Sequence, residues 1–288
     1  MFPVHGFAQE EGNGYSEGNS VIRECVLMRL VDRTRRFVRK VDLAIYDRTS
    51  PYFFPSSLKD YTQEDVEVHG TGGGTYAVLP STISSSSIIY SAGVGADVSF
   101  EMSLHAKHGM QVFAFDPTPE AARYVEQQSL PKAFHYFQVA LGGTDDRQNF
   151  SALKQPASHY FPGSLEAGML FGASLEVDVK KLSTIMKELG HDRIDLLKLD
   201  IEGSEYSVLE TVLEEKLPVK QLVLEFHPHI LNQKHHFTLS GRHGWTKTDL
   251  MIHRLRAAGY RPFHVSKRMT EVSFIRDESS RSPSRQAQ

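Results

Sequence analysis

Four acids and a histidine fall where this chain could do chemistry. Asp116 ends the apolar run Val112–Phe115, and Asp200 ends Ile194–Leu199, with Glu202 two residues on. Glu225 stands near the end of Leu222–Phe226, and His227 follows. A carboxylate at a strand end can accept hydrogen bonds from ribose hydroxyls. His227, Asp200 and Glu225 are candidates for a base that takes the proton of a hydroxyl, a task worth about 10²–10⁴-fold in rate. His227 leads, because an unperturbed imidazole titrates near neutral pH. Lys198 shares a strand face with Asp200 by the two-residue period and reads as its salt-bridge partner. Asp200, Glu225, His227 and His229 could also hold magnesium, manganese or zinc. No tight spacing such as His-Glu-x-x-His occurs, so no metal is expected.

These side chains need a scaffold that gathers strand ends. The stretch Ile88–Asp116 reads as a strand, the glycine turn Gly93-Val94-Gly95, a helix over Asp97–His108 stopped by Gly109, and a second strand. That is the unit that binds a nucleoside-bearing cofactor in doubly wound α/β folds. A dinucleotide site wants a third glycine where this chain has Val98. Asp97 at the helix start would repel phosphate from the positive end of the dipole. A sulfonium cofactor carries no phosphate and a positive sulfur, so S-adenosyl-L-methionine fits better than NAD.

Further helices are expected at Glu120–Gln128, Lys181–Leu189, Ser204–Glu215 and Trp245–Ala258. Phe134–Ala140 reads as a third strand, and Arg261–Val265 with Glu271–Arg276 as a closing antiparallel pair. Thr144–Glu176 is irregular, with short strands near Gln148–Ala152 and Leu175–Val179. Gly72–Gly74 lack the Gly-Lys-Ser/Thr ending of a phosphate loop and read as a flexible segment over the cofactor entrance. His227–Trp245 reads as a histidine-rich lid, with Phe237 or Trp245 able to stack on a sugar.

Net charge is −3, from 32 basic and 35 acidic residues, so no nucleic-acid partner is implied. One cysteine, Cys25, excludes an internal disulfide framework. No apolar run is long enough for a transmembrane helix, no signal pattern opens the chain, and a cytoplasmic location is expected. Residues 1–20 read as disordered, 21–64 as a helical extension, 65–276 as the catalytic domain and 277–288 as a disordered tail. The basic helix 21–41 is a candidate surface for an acidic partner.

Lys198–Glu210, KLDIEGSEYSVLE, with VDVKKLSTIM upstream, resembles the signature of FkbM-type methyltransferases, Lys-x-Asp-x-Glu-Gly-x-Glu. YSAGVGADVSFE, FAFDPTP and LVLEFHP fall in the expected order. The resemblance covers roughly residues 65–276. It implies a class I, Rossmann-like α/β fold: a doubly wound, mostly parallel seven-stranded sheet with an antiparallel final strand. It also implies S-adenosylmethionine-dependent transfer to a hydroxyl of a sugar-containing or natural-product small molecule. The cofactor set expected from it is Ser91, Gly93, Gly95, Asp97, Phe100, Glu101, Asp116, Pro117, Ala140, Leu141, Asp200 and Glu202. The acid usual on the first strand is replaced near Ser91. An NAD-dependent oxidoreductase or epimerase, and an inactive binding module on the same sheet, are the alternatives.

Overall fold

The computed structural model describes residues 56–58, 65–72, 74–152, 163–165, 174–228, 242–266 and 270–277. The chain divides between Tyr52 and Phe53, and every described residue lies in the second unit. The basic helix 21–41, the rest of the N-terminal extension apart from residues 56–58, most of the histidine-rich lid and the tail beyond Asp277 lie outside the described residues.

A short hairpin comes first, β1 (Glu67–His69) with β2 (Tyr76–Val78), around the loop that carries Gly72 and Gly74. The chain then lays down β3 (Ile88–Ala92), helix α1 (Ser99–His108), β4 (Gln111–Phe115), helix α2 (Pro119–Glu126) and β5 (Phe134–Phe137). After an insertion come helix α3 (Leu182–Leu189), β10 (Ile194–Leu199), helix α4 (Glu205–Glu214) and β11 (Val219–Glu225). Helix α5 (Arg242–Ala257), β12 (Tyr260–Val265) and β13 (Glu271–Arg276) close the fold.

The main sheet has seven strands in the order β12-β13-β11-β10-β3-β4-β5. Pairs among β11, β10, β3, β4 and β5 are parallel, and β13 runs against both β11 and β12. This is the mostly parallel sheet expected, down to the antiparallel last strand. Its central strands are apolar on both faces because helices cover both. Ile89, Tyr90, Leu196, Leu197, Leu222 and Leu224 are fully buried.

The helices start and stop where their residues require. Thr118 caps α2 by accepting from Ala121 N, with Pro119 in the first turn. Gly109 and Gly190 end α1 and α3 in the left-handed conformation.

Phe134–Ala140 differs from its expectation. The backbone folds tightly at Val139, whose N–H bonds to Phe137 O, and the chain leaves the main sheet. Ala140–Leu141 form β6 of a second, four-stranded sheet, with β7 (Asp146–Ala152), β8 (Gly163–Ser164) and β9 (Ser174–Lys180) in the order β6-β9-β7-β8. The stretch read as largely irregular is thus held by β7 and β9, whose buried Phe150, Val177 and Val179 pack with Ala140. Glu176 and Asp178 alternate outward, as in a sheet wet on one face.

Candidate active site

Sheet register puts the functional residues in a row. Leu199 pairs with Ala92 and with Leu224, so Asp200, Gly93 and Glu225 leave the sheet side by side. Glu225 in turn pairs with Glu271 of β13. Strand order reverses between β3 and β10, and ligands of such sheets bind beyond the carboxyl ends at that point. A cavity of about 650 Å³ lies there, within the usual size for a small-molecule site. Gly93 has φ +86, and a Cβ on it would stand 1.7 Å from Asp200 O. No residue but glycine fits where the β3 turn meets the end of β10.

At one end of the cavity Asp116 is tied into the backbone. Its Oδ2 accepts from Gly95 N at 2.9 Å, and its Oδ1 accepts from Thr118 N at 2.9 Å and Thr118 Oγ1 at 2.6 Å. Three of its roughly four acceptor positions are filled, which fixes the carboxylate and leaves capacity for a hydroxyl. Pro117, Leu141, Phe150 and Leu165 add apolar walls; Leu141 and Phe150 lie in the second sheet, and Leu165 follows its strand β8.

At the other end, acids crowd one another. Tyr76 Oη donates to Asp200 Oδ2 at 2.7 Å and reaches Glu225 Oε2 at 3.3 Å. Lys198 Nζ donates to Gly93 O at 2.9 Å and stands 3.9 Å from Asp200 Oδ2, the pairing expected from the strand period. Fully buried Glu205 folds back on its own turn, accepting from Ile201 N at 3.0 Å and Gly203 N at 3.0 Å. It also takes His227 Nδ1 at 2.8 Å. His227 Nε2 faces Glu202, Asp200 and Glu225 at 3.6, 3.7 and 4.0 Å.

These surroundings set the charges. Burial pushes the imidazole of His227 down, but Glu205, Glu202 and Asp200 together outweigh it and hold the ring protonated, well above its ordinary range. Glu225 is raised as well. Burial and then the neighbouring Asp200 push it up to about 7, with His227 only partly offsetting them. Burial, Asp200 and Glu225 also push the phenol of Tyr76 well up. The near-neutral histidine expected from the sequence is therefore an imidazolium locked to Glu205, and the near-neutral group is Glu225. Donor atoms of Asp200, Glu225 and His227 lie within 4.8 Å of one another and could hold a divalent ion. Such an ion would have to displace the imidazolium proton, because a ligating histidine is neutral.

Of the residues expected to contact cofactor, Gly93, Gly95, Asp97, Asp116, Pro117, Ala140, Leu141, Asp200 and Glu202 line the cavity, as does Glu225. Ser91, Phe100 and Glu101 stand behind it. Ser91 Oγ donates to Glu101 Oε1, both groups are buried, and Glu101 Oε2 has no partner among the described residues. Phe100 packs edge-on against Tyr76 at 5.3 Å between ring centroids. Asp97 Oδ1 accepts from Ser99 N, the first N–H of α1. Glu202 adopts φ 51 beside the cavity, while sequence reasoning gave no role to Glu205, which accepts from the turn before α4. Tyr76, Glu205, Phe150, Leu165 and Glu271 escaped it. The final Glu of the KLDIEGSE motif was the one signal for Glu205.

Residues 68–262 match the family described as the methyltransferase FkbM domain. The chain belongs to that family. It is also 33% identical over 144 residues to "Probable methyltransferase-like protein 24" of Homo sapiens and, at the same identity, of Rattus norvegicus. Those matches take 49% of this chain and 32–33% of the relatives, so the chain spans about a third of their length. Among solved structures, the Methanococcus jannaschii fibrillarin pre-rRNA processing protein aligns at 11% identity and a TM-score of 0.39, over 75% of this chain and 85% of that one. The FkbM match takes in both ends of the cavity, from β1 through Asp116, Asp200, Glu225 and His227 into β12.

Proposed function

We propose that this FkbM domain is an S-adenosylmethionine-dependent O-methyltransferase acting on a hydroxyl of a small molecule, with a sugar or natural-product alcohol as the acceptor class. The observation that carries the cofactor is the charge of the cavity. Its described lining holds Asp97, Asp116, Asp200, Glu202, Glu225 and Glu271 against one base, Lys198. That field repels a pyrophosphate and attracts a positive sulfur with a free amino group, which disfavours an NAD-dependent reading. Asp116 and Gly95 would hold the ribose, and Pro117, Leu141, Phe150 and Leu165 the adenine.

When bound, the cofactor supplies an activated methyl carbon for in-line displacement. The chain's own part is alignment and proton removal, and near-attack alignment alone can supply roughly 7–11 kcal/mol. Glu225 takes the hydroxyl proton, because a base titrating close to the working pH serves best. His227, kept protonated, holds the carboxylates of Asp200 and Glu202 in place. Tyr76 fixes the spacing of Asp200 and Glu225.

The test is incubation with methyl-labelled S-adenosylmethionine and a panel of sugar, macrolide and phenolic alcohols. Label in an alkali-stable ether, lost with Glu225→Gln, is expected. Label in amine or ester products, or turnover of NAD instead, would overturn the reading.

A further inference from the structure

A second cluster lies away from the cavity, where β1 meets the last turn of α1. Glu67 and His69 alternate onto one face of β1, with Val68 turned to solvent. From α1 come Ser103, Lys107 and His108. His69 Nε2 stands 3.2 Å and His108 Nε2 2.9 Å from the same oxygen, Glu67 Oε2. All three donor atoms lie within 4.8 Å of one another.

The geometry points to a zinc site formed by Glu67, His69 and His108. Two imidazoles and one carboxylate are a known zinc donor set that leaves a fourth position open, and imidazole disfavours magnesium and calcium. Bonds of about 2.0–2.2 Å at tetrahedral angles put neighbouring ligand atoms roughly 3.3–3.5 Å apart. The present 2.9 and 3.2 Å separations need widening by only a few tenths of an ångström.

The surrounding bonds are those a bound zinc requires. Ser103 Oγ holds His69 Nδ1 at 2.9 Å, which orients the ring with Nε2 toward the site. Lys107 Nζ holds the other oxygen, Glu67 Oε1, at 2.7 Å, so Oε2 remains the ligating atom. His69 is nearly fully buried and His108 mostly so, and these rings lose little freedom on binding.

The site also has a mechanical consequence. His69 is followed by Gly70 at φ +93 and by Thr71, whose N–H bonds to Ser99 Oγ at the start of α1. Gly72, Gly74 and Thr75 then line the cavity. Zinc between β1 and α1 therefore anchors the β1 end of the segment that borders the cavity.

Full-length chain stripped with chelator is titrated with zinc sulfate in a competing chelator, beside His108→Ala and Glu67→Gln. One zinc per chain is expected, weakened at least a hundredfold in either variant. Asp200→Asn and Glu225→Gln should bind as wild type does. Circular dichroism confirms that each variant is folded. Hydrogen exchange should show zinc-dependent protection of residues 66–75 in the wild type. No zinc uptake at micromolar concentration, equal affinity in wild type and His108→Ala, or loss of zinc on altering Asp200 would each overturn the assignment. None of these outcomes depends on methyl transfer.

Discussion

Asp116 and Asp200 occupy equivalent places, one residue past the carboxyl ends of β4 and β10. Their surroundings differ in kind. Asp116 is fixed by backbone and loop donors, Gly95 N after β3 and both donors of Thr118, with one acceptor position left, and has apolar neighbours. Asp200 shares its space with Glu202, Glu225, Tyr76, Lys198 and His227. The first environment fixes an acceptor in one orientation. The second buries a carboxyl beside like charges, so Glu225 is driven toward neutral pH by burial first and by Asp200 next. Position in the sheet selects a residue for the site, and neighbours brought from elsewhere decide whether it holds or reacts.

Removing Glu205 should have the largest effect, and only at the reactive end. Glu205→Ala leaves the N–H groups of Ile201 and Gly203 and the buried imidazolium of His227 without their carboxylate. A loss of about 3–5 kcal/mol in urea unfolding is expected. A loss below about 1 kcal/mol would mean the turn is held by other contacts.

Asp116→Ala should show the opposite profile. Loss of a charged acceptor from a ligand contact costs about 1.5–3 kcal/mol, a drop of roughly ten- to a hundredfold in S-adenosylhomocysteine affinity. The methyl-transfer pH profile should keep its shape. A change in shape would show that the two ends are not separate.

Glu225→Gln sharpens the contrast through pH. Because the folded carboxyl sits at about 7 against an ordinary 4.5, the folded state binds its proton more tightly than the unfolded one. Stability contributed by that proton is present at low pH and falls as pH rises toward and through 7. The glutamine variant should therefore gain roughly 1–2 kcal/mol over wild type at pH 8 and little at pH 4, measured by thermal unfolding. With an acceptor in hand, the wild-type rate should fall as pH drops below about 7, and the variant should lose that limb. His227 carries the same sign to higher pH. Its folded value is raised, so its contribution is present below its unfolded value and lost only in alkali.

Tyr76→Phe should have the smallest effect. Losing the phenol that donates to Asp200 and Glu225 removes a bond to their charged forms. The acid limb should move to higher pH by less than about one unit. Movement to lower pH would contradict the role given to Tyr76.

The strand ends were readable from sequence because each is an apolar run broken by an acid or glycine, and burial on both faces demands such runs. Gly93, Asp116 and Asp200 followed from that. The split at Val139 was not readable, since no glycine, proline or acid interrupts Phe134–Ala140 and a turn there breaks no local rule. His227 could be placed but not its charge, which depends on Glu202 and Glu205 curling back from another turn. Tyr76 lies 124 residues from Asp200, a separation no periodicity spans. Phe150 and Leu165 reach the cavity through pairings within the second sheet, which strand propensity does not specify.

The most direct test of the central claim is calorimetric titration of the full chain with S-adenosylhomocysteine and, separately, with NAD. One S-adenosylhomocysteine per chain is expected, weakened at least tenfold by Asp116→Ala and little changed by Glu225→Gln, with no heat from NAD. NAD binding at comparable strength, or S-adenosylhomocysteine affinity indifferent to Asp116→Ala in a folded variant, would contradict it.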